Sequence, residues 1–401
     1  MSETTQTLTP FEAITGSANE AVMGFAPDHI LDSNIFNAIK KDYEKPSLFL
    51  GEQMGLLDTI HVHYPELTEL QDRLQEMNWK HNEFPFESCN VQFKTCDPGT
   101  YQVMIRTLAW QWEADSIAAR TLLAVMAPFI SATELLGVWG EISRNEFLHG
   151  RTYSHIVKSS FDDPEVALKE ILEVKESMWR AHTVSRIMGQ TYQISHKYAL
   201  GLIEKDDPII YDTIFLFVVA LWCLEGVQFA SSFGVTFIVA ENGDFVPIGR
   251  TVQKICQDEL VIHVATCRKI LEIELQTPRG IQTYLRLRDT VKTIIDEVRD
   301  TELAWNQNLL SEGRELYNKK TNTKITPEHL NGHTLVQCRP IYDFFGLPYG
   351  CTIPEVSPLD YLKEWFDINL VKGAPQEEKQ GNYLMGGLVR DDHREIYDVN
   401  F

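Results

Sequence analysis

The sequence predicts an all-α protein: a bundle of long helices with extra shorter ones and a flexible C-terminal tail. Apolar residues recur at helical spacing over long segments, and short breakers carrying helix caps separate those segments. Asp163-Pro164, Asp207-Pro208, Thr277-Pro278 and Thr326-Pro327 each set a capping side chain before a proline, whose missing N–H costs nothing in a first turn. Ser131 followed by Glu134 has capping-box spacing. Reading between the breakers gives helices at 66–76, 99–126, 131–160, 164–204, 208–240, 247–276, 279–312, 327–345 and 358–370. The one strand signal, Asn242-Gly243 between short apolar flanks, suggests a hairpin turn.

With 44% hydrophobic residues in 401, the chain can bury a sizeable core. Its 36 basic and 57 acidic residues give a charge of -21, which repels a phosphate backbone and argues against direct nucleic-acid binding. Seven cysteines without a Cys-x-x-Cys pair speak against a disulfide framework or a zinc ribbon and fit a reducing cytoplasm. The N-terminus lacks the basic start and apolar stretch of a signal peptide. The longest apolar run, Ile214 to Leu224, falls short of the ~20 residues of a membrane span and ends at Glu225, so it reads as a buried helix. The expected organisation is a polar segment at 1–30, one helical domain at 31–372 and a tail at 373–401.

The chemistry is concentrated in Ser143-Arg-Asn-Glu-Phe-Leu-His-Gly-Arg-Thr-Tyr153. Glu146, His149 and Tyr153 stand at i, i+3 and i+7, within roughly 60° of one another on a helix surface. That face otherwise carries Leu135, Val138, Trp139 and Ile142, so a carboxylate and an imidazole turned inward need a partner, and a metal ion supplies it. Glu-x-x-His alone is common by chance. Here, however, Asp115 lies on the preceding helix, where an antiparallel pairing brings it level with Glu146.

The arrangement recurs: Glu225 ends the apolar run, and Glu259 with His263 follows on the next helix. Two helix pairs, each giving one carboxylate and then a Glu and a His, are what a dinuclear carboxylate site requires. Oxygen ligands with one imidazole per metal suit iron or manganese. The second pair departs from the first, because Glu259-Leu-Val-Ile-His263 is spaced i, i+4. A π-bulge would absorb the additional residue, and i, i+4 already shares a helix face.

From about Trp79 to the C-terminus these residues resemble the small, radical-generating subunit of class I ribonucleotide reductase, a ferritin-like dimetal carboxylate family. The resemblance implies a stable radical on Tyr153, one turn past His149, in an apolar pocket of Phe229, Phe233 and Ile255. It implies a relay of Trp79, Asp258 and His149, and a part in radical transfer for Glu83 and for Tyr383 in the tail. Glu395-Ile-Tyr-Asp-Val-Asn-Phe401 matches a segment that folds into a partner's groove.

The implied reaction uses dioxygen and two iron ions, or two manganese ions, held by Asp115, Glu146, His149, Glu225, Glu259 and His263. The implied partners are a separate large catalytic subunit, docked through the tail, and a second copy of the chain. The resemblance also places the nucleotide substrate on the large subunit, and consistently this sequence shows neither a phosphate-binding loop nor a convincing dinucleotide fingerprint. Two other readings fit the residues themselves: a ferritin-like oxidase or monooxygenase acting directly on a substrate, and a metal-free helical scaffold.

Overall fold

The computed structural model describes residues 45–51, 57–204 and 206–366. The segments expected at 1–30 and 373–401, with Tyr383 and the partner-binding residues, lie outside the described residues. The helices are α1 Pro65–Glu76, α2 Glu87–Thr95, α3 Pro98–Met126, α4 Thr133–Ser160, α5 Pro164–Leu172, α6 Lys175–Arg180 and α7 His182–Ala199. Then come α8 Pro208–Cys223, a π turn Leu224–Gln228, α9 Ala230–Glu241, α10 Val246–Asp258, a second π turn Glu259–His263 and α11 Val264–Glu274. α12 Pro278–Leu309, strands β1 Leu316–Asn318 and β2 Thr323–Ile325, α13 Pro327–Phe345 and α14 Leu362–Trp365 complete the elements among the described residues.

The caps do what their sequences require. Asp163 accepts from the backbone N–H groups of Glu165 and Val166, Asp207 from Ile209 and Thr277 from Gly280. Thr326 forms a capping box with His329, and Asp97, which the sequence reading passed over, caps α3 through Thr100 N–H. Ser131 and Glu134 make no capping box. α4 starts at Thr133 with Ala132 at its N-cap, while Glu134 accepts from the backbone N–H of Tyr64 at 3.1 Å and Ser131 Oγ donates to the Ser47 carbonyl at 2.7 Å. Both side chains tie down the segment before α1 instead.

Three other expectations need correction. The helix expected over 164–204 is three helices, and neither Gly nor Pro marks either break. Arg180, fully buried at the end of α6, turns inward there. The helix expected at 358–370 is the single turn α14 within the described residues. Asn242-Gly243 is a helix-to-helix turn, where Gly243 takes the left-handed φ of 87° that a residue without Cβ adopts freely. The hairpin lies at 316–325, and Asn242 grips it: its Nδ2 donates to the Tyr317 carbonyl at 2.6 Å and its Oδ1 accepts from Lys319 N–H at 2.8 Å.

α3 and α4 pack along their length, and the rods α8–α9 and α10–α11 complete a four-rod centre, with α1, α7, α12 and α13 outside it. The 34-residue rod Pro208–Glu241 is long and apolar enough to cross a membrane, but 89% of its apolar window is buried in this fold. It is a core helix.

Candidate metal centre

All six expected ligands are fully or almost fully buried, and they meet between the four rods. Asp115, Glu146, His149 and Glu259 form one group, and Glu146, Glu225, Glu259 and His263 the other, with ligand atoms in each within 4.8 Å of one another. Glu146 and Glu259 belong to both. His149 Nδ1 lies 3.0 Å from a Glu259 oxygen and 3.7 Å from an Asp115 oxygen. His263 Nδ1 lies 3.0 Å from Glu146, 2.9 Å from Glu259 and 3.7 Å from Glu225.

The i, i+4 spacing is accommodated as a π turn across Glu259–His263. Its wider winding takes up the additional residue, and His263 returns over Glu259 as His149 does over Glu146. Glu225 also stands in a π turn, Leu224–Gln228, which the sequence reading did not anticipate because no spacing anomaly marks it.

These residues fit a metal pair. Both oxygens of Asp115, Glu146, Glu225 and Glu259, and Nδ1 of both histidines, are buried with no well-formed hydrogen bond and face only one another across the centre. Leaving so many polar atoms unpaired in an apolar interior is untenable unless a cation sits among them. Burial, together with neighbouring Glu146, holds the Asp115 carboxyl well above the usual range; burial and Glu259 do the same for Glu225. Burial opposes charge on both imidazoles, but the carboxylates around them outweigh it and raise their pKa well above the ordinary histidine value. Glu259 is held low despite burial, by His263 beside it.

The outer ring nitrogens are fixed. His149 Nε2 is 3.1 Å from Asp258 Oδ2, and Trp79 Nε1–H donates to the same oxygen at 2.7 Å. Trp79 and His149 are near-parallel at 6.0 Å between ring centroids. Asn145, absent from the sequence reading, donates to Asp258 at 3.0 Å and contacts His263 Nε2 at 2.9 Å. Its position just before Glu146 was the only available signal. Gln111, one turn before Asp115, is also buried, with neither amide atom partnered.

Tyr153 is fully buried with its hydroxyl unpartnered, and burial raises its pKa well above the ordinary phenol value. Phe229, Phe233 and Ile255 are buried too, the two phenyl rings stacked at 5.4 Å. Glu83 is partly exposed, its carboxylate 2.8 Å from the buried Lys254 ammonium.

A family model described as ribonucleotide reductase, small chain, matches residues 57–324. The chain belongs to that family. It is therefore the small subunit of an oxidoreductase that works with a separate large subunit. Ribonucleoside-diphosphate reductase subunit beta of Buchnera aphidicola subsp. Schizaphis graminum is 22% identical over 367 residues, covering 88% of this chain and 95% of the relative. The phage T4 subunit beta is 22% identical over 386 residues, covering 90% and 96%. Among solved structures, the ribonucleotide reductase R2 subunit from Clostridium botulinum superposes with a TM-score of 0.65 at 16% identity, covering 82% of this chain and 98% of the other. An R2-like ligand-binding oxidase with a Mn/Fe cofactor has a TM-score of 0.52 at 12% identity, covering 72% and 95%. These likenesses to solved structures establish the fold.

Proposed function

We propose that this chain generates and stores a tyrosyl radical on Tyr153 and lends it to the large subunit, where ribonucleoside diphosphates are reduced to deoxyribonucleotides. The observation that carries the reading is the convergence of buried, unpartnered ligand atoms into two groups that share Glu146 and Glu259, with Tyr153 one turn beyond His149. Asp115 and His149 would hold one metal and Glu225 and His263 the other, with Glu146 and Glu259 within reach of both. When bound, two iron or two manganese ions supply the oxidising power that dioxygen brings to such a centre.

The chain's own residues perform the rest. Tyr153 gives up one electron and its phenolic proton, and the apolar surroundings of Phe229, Phe233 and Ile255 keep water and reductants from the resulting neutral radical. Trp79 delivers an electron through Asp258 to His149, along the hydrogen bonds that join them. Glu83 and the tail residue Tyr383 extend the path toward the large subunit, onto which residues 373–401 dock. The chain works as a homodimer in the cytoplasm, and family membership favours radical supply over direct oxidation of a substrate.

The test is anaerobic loading with iron, or in parallel with manganese, followed by oxygen and low-temperature electron paramagnetic resonance. A tyrosyl signal in the wild type that Tyr153→Phe abolishes without loss of metal is the expected result. A wild type that binds metal yet yields no tyrosyl signal under either loading would overturn the radical assignment.

A further inference from the structure

We propose that Arg180 is a positioning residue for the metal position at Glu225: packed against two tryptophans, it secures the π turn that presents this carboxylate. The inference rests on the metal reading above and adds a residue that lies in sequence between His149 and Glu225, distant from both. Arg180, at the end of α6, is completely buried, as are Glu302 of α12 and Gln228. Its guanidinium carbon lies 4.1 Å from the ring centre of Trp110 and 4.7 Å from that of Trp305. Its Nε and Nη2 donate to the two carboxylate oxygens of Glu302, a fork-on-fork pairing.

The remaining contacts of Arg180 point to the metal rod. Nη2 also donates to the backbone carbonyl of Gln228, which accepts a second bond, at 3.0 Å, from Trp110 Nε1–H. The Gln228 side chain donates back to the Arg180 carbonyl at 2.9 Å. Gln228 is the last residue of the π turn Leu224–Gln228, one turn after Glu225. Where a π turn gives way to an α-helix the hydrogen-bond ladder shifts by one residue, and a carbonyl at the junction needs donors from outside. Arg180 and Trp110 are those donors.

Burying an ion pair for stability alone is a poor bargain, since apolar side chains of similar volume usually serve as well. Holding an irregular backbone register by donating to its carbonyl is a task they cannot perform. Trp110 lies on α3, one turn and a residue before Asp115, so the clamp also ties the Glu225 turn to the helix that supplies the other metal position.

The test uses the full-length chain and manganese as probe. Arg180→Lys keeps a charge for Glu302 but loses the planar fork that reaches Gln228 as well, and Trp110→Phe keeps the ring while deleting the second donor. Equilibrium dialysis gives the affinities, and anomalous scattering from manganese-soaked crystals assigns them. In each variant the ion at Asp115 and His149 should keep its wild-type affinity, while the ion at Glu225 and His263 binds about tenfold more weakly, the lower end of what loss of a supporting partner costs. Wild-type affinity at both positions in a folded variant overturns the proposal, and so does equal weakening at both accompanied by a lower melting temperature. Should Arg180→Lys fail to fold, Trp110→Phe decides. A wild type that binds neither manganese nor, in parallel dialysis, iron instead refutes the metal reading itself.

Discussion

Asn145 joins His263 to the carboxylate that also holds His149. Asp258 can only accept, so Asn145 faces it with its amide nitrogen, at 3.0 Å, and turns its carbonyl toward His263, at 2.9 Å. That carbonyl needs a donor, which puts a proton of His263 on Nε2 and makes Nδ1 the nitrogen that a metal ion would take. His149 is set the same way by Asp258 directly. One carboxylate thus fixes the tautomer of both imidazoles.

Asn145→Leu conserves volume and removes both bonds. It is expected to weaken metal binding at the His263 position by about 10- to 100-fold, the usual cost of losing such a partner. Calorimetric titration with manganese reads this directly, and an unchanged isotherm would contradict the tautomer argument.

Phe233→Ala opens a cavity beside Phe229 at a fully buried position. The expected loss of stability is about 3–5 kcal/mol, read from denaturant midpoints. With water admitted, the Tyr153 radical signal should decay faster while metal content stays at the wild-type level. A cavity that leaves the lifetime unaltered would argue against exclusion of water as the protective device.

His333 is fully buried on α13, its Nδ1 3.0 Å from Ser357 Oγ, and burial pushes its pKa down to about 4. In the unfolded chain it titrates near the ordinary 6.5. The unfolded state therefore takes up the proton first as pH falls. Stability from this group is complete above pH 6.5 and is lost progressively down to about 4, by about 3 kcal/mol in total. His333→Gln should flatten that limb of the melting-temperature profile between pH 4 and 6.5. Parallel profiles for the two proteins would assign acid sensitivity to other groups.

Lys254 lies one turn before Asp258 and pairs with Glu83 at 2.8 Å. Lys254→Met should leave metal content and Tyr153 radical yield unchanged, because neither residue reaches the centre. Turnover with the large subunit should fall severalfold, since Glu83 loses the partner that orients it. A fall in radical yield instead would place Lys254 in radical generation.

The six buried side chains that meet between the rods were legible because inward-facing charge on an apolar helix face has few explanations, and because the pattern occurs twice. The π turn at Glu259–His263 announced itself through its spacing, whereas the one at Leu224–Gln228 adds no residue to any motif and left no trace. The break between α6 and α7 was hidden for a related reason: Arg180 is pulled inward by Glu302, which lies far away along the chain, and no local breaker records that. Ser131 and Glu134 misled because capping chemistry and long-range anchoring use the same side chains. Asn242-Gly243 was correctly read as a turn, but turn residues do not say which elements they join.

The rod from Pro208 to Glu241 carries a cost during biosynthesis. It precedes the α10–α11 rod and α12 in the chain, so a nascent polypeptide displays a span-length greasy helix before the elements that will cover it have been made. Until they emerge, that stretch stands open to a lipid bilayer or a chaperone groove, and truncations ending between α9 and α12 should yield aggregates rather than a smaller stable bundle.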